Sequence, residues 1–358
     1  MKIILKQALI LAVMLIFAGS FASAAKMKVG FIYIGPPGDH GWTYAHDQSR
    51  LEVENMLGNH VETTFIEGVP EGPDAERTIA KLAETGHKLI FTTSFGYMEP
   101  TIKVAKRFPD VYFEHATGYK QTQNVATYSA RFYEGRYVQG VIAGKMSKSG
   151  VIGYIASFPI PEVVRGINSF MLGAQSQNPN IKVKIVWVYS WFDPPKEADA
   201  AKVLMDQGAD IITQHTDSTA ALQAAADRGI NAFGQASDMI KFAPSTQLTA
   251  ILDNWGAYYV MRTADAMMGT WKGGGDTWHG MKEGMVGMAP FTNMPTDVAN
   301  LARETMESIR SKKFHPFTGP VFDQSGKLRI KAGEVPGDHP MLTTMNWYVK
   351  GIDDKLPE

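Results

Sequence analysis

Residues 28–44 read KVGFIYIGPPGDHGWTY, and this stretch decides the fold. Residues 29–34 form a short run dominated by β-branched and aromatic side chains, which predicts a strand buried in a parallel sheet. Gly35-Pro36-Pro37-Gly38 ends the run, because proline cannot donate to a ladder and glycine permits tight turning. Asp39, His40 and Thr43 then open a helix predicted over 43–57. Strand, glycine-bearing loop and helix make the first unit of a doubly wound α/β domain, in which ligands sit outside the carboxyl ends of the strands. Trp42 lies at that edge. A large aromatic there either stacks on a flat ligand or plugs the helix onto its own domain, and this stretch alone leaves both readings open.

The alternation continues outward. Strands are predicted at 61–66, 88–93, 111–115 and 124–128, with helices at 74–84 and 99–108 between them. A second half-unit follows. Its helices are predicted at 133–146, 161–177, 196–207 and 219–228, and its strands at 150–156, 182–189, 210–213 and 231–234. The tail is less regular: a strand at 246–253, helices at 255–268 and 295–312, and a hairpin over 319–331 turning at Asp323-Gln324-Ser325-Gly326. The expected division is a first lobe of 26–129 plus roughly 236–253. The second lobe is 130–235 plus roughly 254–312, and 313–358 is a C-terminal extension packed on the lobes. The hinge is expected near Ser129–Phe132.

The chain has 358 residues, 44% of them hydrophobic and 20% charged, which suits two domains of ordinary size. A formal charge of −1 gives no basic field to hold nucleic acid. The absence of cysteine excludes disulfides, thiol nucleophiles and cysteine-ligated zinc. The nine histidines form no HExxH or close pair, so no metal and no cofactor are expected. Residues 1–25 carry Lys2 and Lys6, an apolar run and Ala22-Ser23-Ala24-Ala25, the pattern of a secretory signal peptide cleaved before Ala25 or Lys26. Without cysteine the product is not a lipoprotein, and no later stretch is long and apolar enough to span a bilayer. The expectation is an exported periplasmic monomer of α/β class. It is a two-lobe periplasmic-binding-protein type I fold, each lobe a doubly wound parallel sheet with helices on both faces, closing about a hinge on its ligand.

A set of loose motifs in order and spacing carries a family resemblance. They are Asp39-His40-Gly41-Trp42-Thr43, the run from Glu134-Gly135 through Gly140, Gly144 and Gly150 to Gly153, and Arg165-Gly166-Ile167-Asn168. Ser190-Trp191-Phe192-Asp193-Pro194-Pro195-Lys196, Gly208-Ala209-Asp210-Ile211, Gly234-Gln235-Ala236-Ser237-Asp238 and Met345-Asn346-Trp347-Tyr348-Val349 follow. Over nearly all of the chain beyond residue 25 this resembles the basic-membrane-protein family of ABC-importer binding proteins, which includes purine-nucleoside receptors. The resemblance implies that Trp42 and Trp191 occupy base-stacking positions. It departs from the receptors at Asp253, where a lysine is expected, and at Thr117 and Ala236, where acids are expected. A planar purine-like ligand therefore carries over better than a nucleoside.

The expected ligand-binding residues are Trp42, Trp191, Asp238, Phe95, Tyr97, Asp253, Asn254, Phe192, Thr117 and Asp39. Asp238 would read the ligand edge by accepting N–H groups, or is a solvated loop acid. Asp253 and Asn254 contact ligand or cap a helix. Tyr97 lines a cleft or covers its own helix, Phe192 reads more as core, and Thr117, His115 and Asp217 read more as structural. The implied partners are a small purine-like molecule, adenine or a purine nucleoside, and the permease and ATPase of an ABC importer. The alternatives in other classes are an exported nucleoside hydrolase-like enzyme, for which no nucleophile or metal-loop motif is present, and a ligand-sensing protein for a membrane receptor.

Overall fold

The computed structural model describes residues 25–357. The expected signal peptide lies almost wholly outside that range. Two six-stranded sheets stand side by side. In the first, β1 (Met27–Ile32) pairs in parallel with β2 (Val61–Ile66) and β3 (Leu89–Thr92), and β4 (Tyr112–Ala116) and β5 (Val125–Ala130) extend the sheet beyond β3. The central strands β3 and β5 are buried along their whole length, whereas β2 at the edge is partly exposed. Helices α1 (Trp42–Leu57), α2 (Pro73–Glu84) and α3 (Met98–Arg107) make the crossovers. Phe31 stacks on Phe91 at 4.8 Å in the core of this lobe.

The second sheet is built on β6 (Val151–Ala156), flanked by β7 (Lys182–Trp187) on one side and by β8 (Ile211–Gln214) and β9 (Asn231–Gly234) on the other. Its helices are α4 (Phe132–Met146), α5 (Pro161–Gln177), α6 (Pro194–Asp206) and α7 (Ala220–Asp227). Helices α4 and α5 pack closely because Gly140 and Gly144 face α5 backbone. A Cβ on Gly140 would stand 2.0 Å from the Phe170 carbonyl oxygen.

The chain crosses between lobes three times, and this corrects the expected division. Strand β10 (Gln247–Asp253) pairs in parallel with β9, so it belongs to the second lobe and not the first. Helix α8 (Gly256–Met268) then returns to the first lobe. It packs on α1, with Trp255 at its start stacked on His46 at 5.0 Å and its own Tyr259 against Phe91 at 4.3 Å. Residues 276–279, unassigned from sequence, form β11 (Asp276–His279) parallel to β5. Residues 286–288 form β12 (Val286–Met288), antiparallel to β10 and back in the second lobe, where α9 (Thr296–Arg310) packs on α4. Both missed strands lie at sheet edges and are four and three residues long, too short for any period to register. The hairpin is present as β13 (Val321–Phe322) and β14 (Leu328–Ile330) around the expected turn. A further short helix, α10 (Asp338–Thr343), lies in the tail, and its Asp338 pairs with Arg131 at the first crossover.

Candidate ligand-binding site

A small cavity lies between the lobes. The first lobe lines it with Ile34, Trp42, Ser94, Phe95 and Thr117, and the second with Glu162, Trp191, His215, Asp217 and Gln235. Nearly all of them follow the carboxyl end of a strand: β1, β3 and β4 on one side, β7, β8 and β9 on the other. The two exceptions open α1 and α5. The parallel topology thus brings together residues from eight separate points of the chain at one edge.

The first-lobe wall is mainly apolar, and the hydroxyls of Ser94 and Thr117 on it are already bonded within the lobe. The Trp42 indole N–H donates to the Thr93 carbonyl at 2.6 Å, and the ring packs against His46, Phe132 and Trp255 with centroids 4.4–5.9 Å away. Asp39 holds the start of α1 by accepting the backbone N–H groups of Gly41, Thr43 and Tyr44 at 2.8–3.0 Å. Three such donors favour the ionised form. Burial nonetheless pushes the Asp39 carboxyl up to about 6.

The second-lobe wall is polar. Trp191 packs on Phe158 at 5.1 Å, and its buried indole N–H has no partner. Its carbonyl accepts the Asp217 N–H at 2.9 Å. Glu197 ties the same two loops together by accepting from the Asp193 N–H and from the N–H and hydroxyl of Ser218. Burial pushes the Asp217 carboxyl well up, helped by the negative charges of Asp39, Glu197 and Asp253. Glu162 and His215 face each other with Oε1 and Nε2 3.7 Å apart. Arg136 sits behind them and donates to the Gln235 side-chain oxygen at 2.5 Å. No lysine or arginine lines this cavity among the described residues.

The lobes touch at the mouth. Gly41 sits so close to Asp217 that a Cβ there would lie 2.2 Å from the Asp217 carbonyl oxygen. The Ser237 hydroxyl donates to the His40 carbonyl, and the His40 ring lies 4.8 Å from that of Phe242. The cleft is in its closed form.

Of the residues expected from sequence, Trp42, Trp191, Phe95 and Thr117 meet in this cavity. The others do not line it. Asp238 is exposed, and its carboxylate accepts from the Gln247 side chain and the Ile240 N–H. Ala236, at φ 62°, turns the chain so that Gln235 faces the cavity and Asp238 faces away. Tyr97 is fully buried in first-lobe core and donates to the Val69 carbonyl. Asn254 is exposed at the second crossover and bonds the Gly284 carbonyl. Phe192 lies beside Gly35 at the outer rim. Asp39 is a helix cap one turn behind Trp42. Asp253 is buried with both oxygens unpartnered, near enough to Arg136 and Glu162 to feel both charges, and burial pushes its carboxyl well up. Sequence reasoning missed Glu162, His215 and Gln235, and set Asp217 aside as structural. His215, Asp217 and Gln235 share a position just past a strand end and Glu162 opens a helix, signals that apply equally to many residues that point elsewhere.

Residues 26–323 match the family described as ABC transporter substrate-binding protein PnrA-like. The chain belongs to that family. A purine-binding protein of Brucella abortus is 66% identical over 340 residues, covering 95% of this chain and 97% of the relative. A protein of Haloferax volcanii provisionally named an ABC transporter glucose-binding protein is 35% identical, covering 95% of this chain and 83% of its own. A solute-binding protein structure from Aeropyrum pernix superimposes with a TM-score of 0.70 at 19% identity, covering 89% of this chain and 98% of that one, and shows the shared type I fold. As a substrate-binding protein of this family, the chain is a solute binder by type. No described helix is long and apolar enough to cross a membrane.

Proposed function

We propose that this protein captures a purine-like molecule, adenine or a purine nucleoside, for an ABC importer, and that it works in the periplasm after removal of residues 1–25. The observation that carries the reading is that Trp42 from one lobe and Trp191 from the other line a single closed cavity. A flat ring between two indoles gains about 1–3 kcal/mol per stacking contact. Micromolar binding needs about −8 kcal/mol, which two stacks and a few buried hydrogen bonds reach after the cost of closure. A wall with carboxylates and no cation suits a neutral ligand rich in N–H groups and disfavours phosphates and carboxylates. The name of the Brucella relative supports the same class.

Mass spectrometry of the molecule released on denaturing the purified protein tests this directly, with calorimetry of the stripped protein against adenine, adenosine, guanine, riboflavin and glucose. A purine base or nucleoside as the released and tightest ligand is the expected result. Glucose as the only binder overturns it, and release of free adenine from adenosine during incubation would instead make the protein an enzyme.

A further inference from the structure

The second-lobe wall holds buried polar atoms with nothing to bond. Glu162 Oε2 and His215 Nδ1 have no partner, and their side chains are only 10% and 7% exposed. Each lines the cavity. Glu162 opens α5 right after Pro161, so helix geometry fixes its backbone, while its nearest ring nitrogen, at 3.7 Å, is too far for a hydrogen bond. A carboxylate oxygen left bare in a closed cleft is stable only if the occupant brings it a donor.

Gln235 supplies the complementary group. Its side-chain oxygen is taken by Arg136, which also reaches Gln139 and Thr213. That fixes the amide orientation and leaves the NH₂ as the atom Gln235 can offer to a ligand. The wall carries bare donors as well, among them the Trp191 indole N–H, but the bare atom at the edge that Glu162 forms is an acceptor. Both oxygens of Asp253, near enough to Glu162 to feel its charge, are also buried without partners. An occupant with a carbonyl at this edge would face acceptors with an acceptor. An amino group carries two N–H donors.

We propose that Glu162 selects the ligand by accepting a hydrogen bond from an exocyclic amino group on its ring, while Gln235, oriented by Arg136, donates to a neighbouring unprotonated ring nitrogen. The ligand class is thus an aminated nitrogen heterocycle of the 6-aminopurine kind, in preference to an oxo-purine. This rests on the purine reading above and deepens it. Arg136 is a positioning residue, since it acts through Gln235. Burial, with the nearby Arg136 and Arg165 charges, holds the His215 ring below the ordinary imidazole range against the opposing pull of Glu162.

Calorimetry on the stripped full chain with three probes decides the matter: adenine, unsubstituted purine, which lacks the amino group, and hypoxanthine, which replaces it with a carbonyl. The wild-type protein is expected to bind adenine at least about tenfold tighter than purine, the factor for one hydrogen bond to a charged acceptor. Glu162→Gln should shrink that ratio to about threefold or less while leaving purine affinity nearly unchanged. Gln235→Met, which keeps the side-chain length and removes the donor, should weaken adenine and purine alike and preserve their ratio. Because Glu162 makes no hydrogen bond within the chain, its variant is expected to melt near the wild-type temperature. If it does not fold, Gln235→Met and the wild-type hypoxanthine comparison still decide. A full adenine-to-purine ratio in Glu162→Gln, a ratio lost in Gln235→Met, or hypoxanthine binding as tightly as adenine overturns this inference alone. If none of the three binds, the purine reading falls with it.

Discussion

The two walls of the cleft differ in kind. The first-lobe wall has its hydrogen bonds made before any ligand arrives: the Trp42 N–H is held by Thr93, and the helix behind it is capped by Asp39. The second-lobe wall leaves Trp191, Glu162 and His215 with bare polar atoms. One wall is a finished surface against which a ring can lie. The other is chemically incomplete until a ligand fills it. On the proposed reading each lobe supplies one indole for stacking, and the unpartnered polar groups of the second lobe supply the chemical choice.

The largest effect should come from keeping the walls apart. Gly41 is the point where the first lobe meets the Asp217 backbone, and a side chain there collides with main chain that cannot rotate away. Gly41→Val is expected to weaken ligand binding by about a hundredfold, on the order of 3 kcal/mol. Small-angle scattering checks the cause: the wild type should shrink on binding and the variant should not. A variant that still compacts at saturating ligand would mean that the walls meet elsewhere.

Next come the two tryptophans, which separate the walls by stability rather than affinity. Trp42→Ala and Trp191→Ala should each weaken binding by about 1–3 kcal/mol. Trp42 also packs on the rings of His46, Phe132 and Trp255, so its loss should cost about 2–4 kcal/mol of folding stability without ligand. Trp191 touches Phe158 at the rim of its lobe, and its variant should lose under about 2 kcal/mol. Denaturant melts of the ligand-free variants make the comparison. Equal losses would erase the distinction between a packed wall and a waiting one.

How much of this was legible in the sequence divides along the same line. The strands and helices were, because each is a continuous apolar run or a helical period with its own stops. Residues 61–66, 161–177 and 231–234 fall where the pattern put them. The lobe membership of 247–253 and 256–268 was not, since a fully buried strand reads alike in either sheet and only pairing with β9 assigns it. In the site, the stacking aromatics could be found because a tryptophan beside a loop is rare and conspicuous. Glu162, His215 and Gln235 could not, because what distinguishes them is the absence of a bonding partner. That property exists only after four strand ends have been brought together.

A smaller effect comes from pH. Asp39 on the first lobe and Asp217 on the second approach one another across the mouth, and burial raises both carboxyls. Glu197 and Asp253 add negative charge to the same place. His40 and Lys241, at the outer contact, lie on the cationic side, with the His40 ring held below its ordinary value by burial and by Lys241. A carboxyl raised to about 6 from the ordinary 3.8 binds its proton more tightly in the closed protein. Its favourable contribution is complete below the lower value and is lost as pH rises through the upper one. Taking the open cleft to have the ordinary value, Asp39 alone should tighten ligand binding about fourfold between pH 7.5 and 5.5. Titration calorimetry at the two pH values should also show proton uptake on binding at the lower one, and Asp39→Asn should flatten the profile. Weaker binding at pH 5.5 would put the controlling proton on a group whose ionised form closes the cleft.

The smallest effect is expected at Asp238, which motif matching places at the ligand edge. Its carboxylate is exposed and does local work, holding Gln247 and the 3₁₀ turn Ile240–Phe242. The left-handed turn at Ala236 puts it on the far side of the strand end from Gln235. Asp238→Asn should leave ligand affinity within about twofold and cost about 0.5 kcal/mol of stability, the scale of a partly exposed hydrogen bond. Gln235→Met, three residues earlier, should lose affinity, and because it also leaves the buried Arg136 without this acceptor it should cost about 1–3 kcal/mol of stability. Affinity lost at Asp238 with stability intact would extend the incomplete wall beyond the closed cavity, to a residue that reaches the ligand only when the lobes are apart.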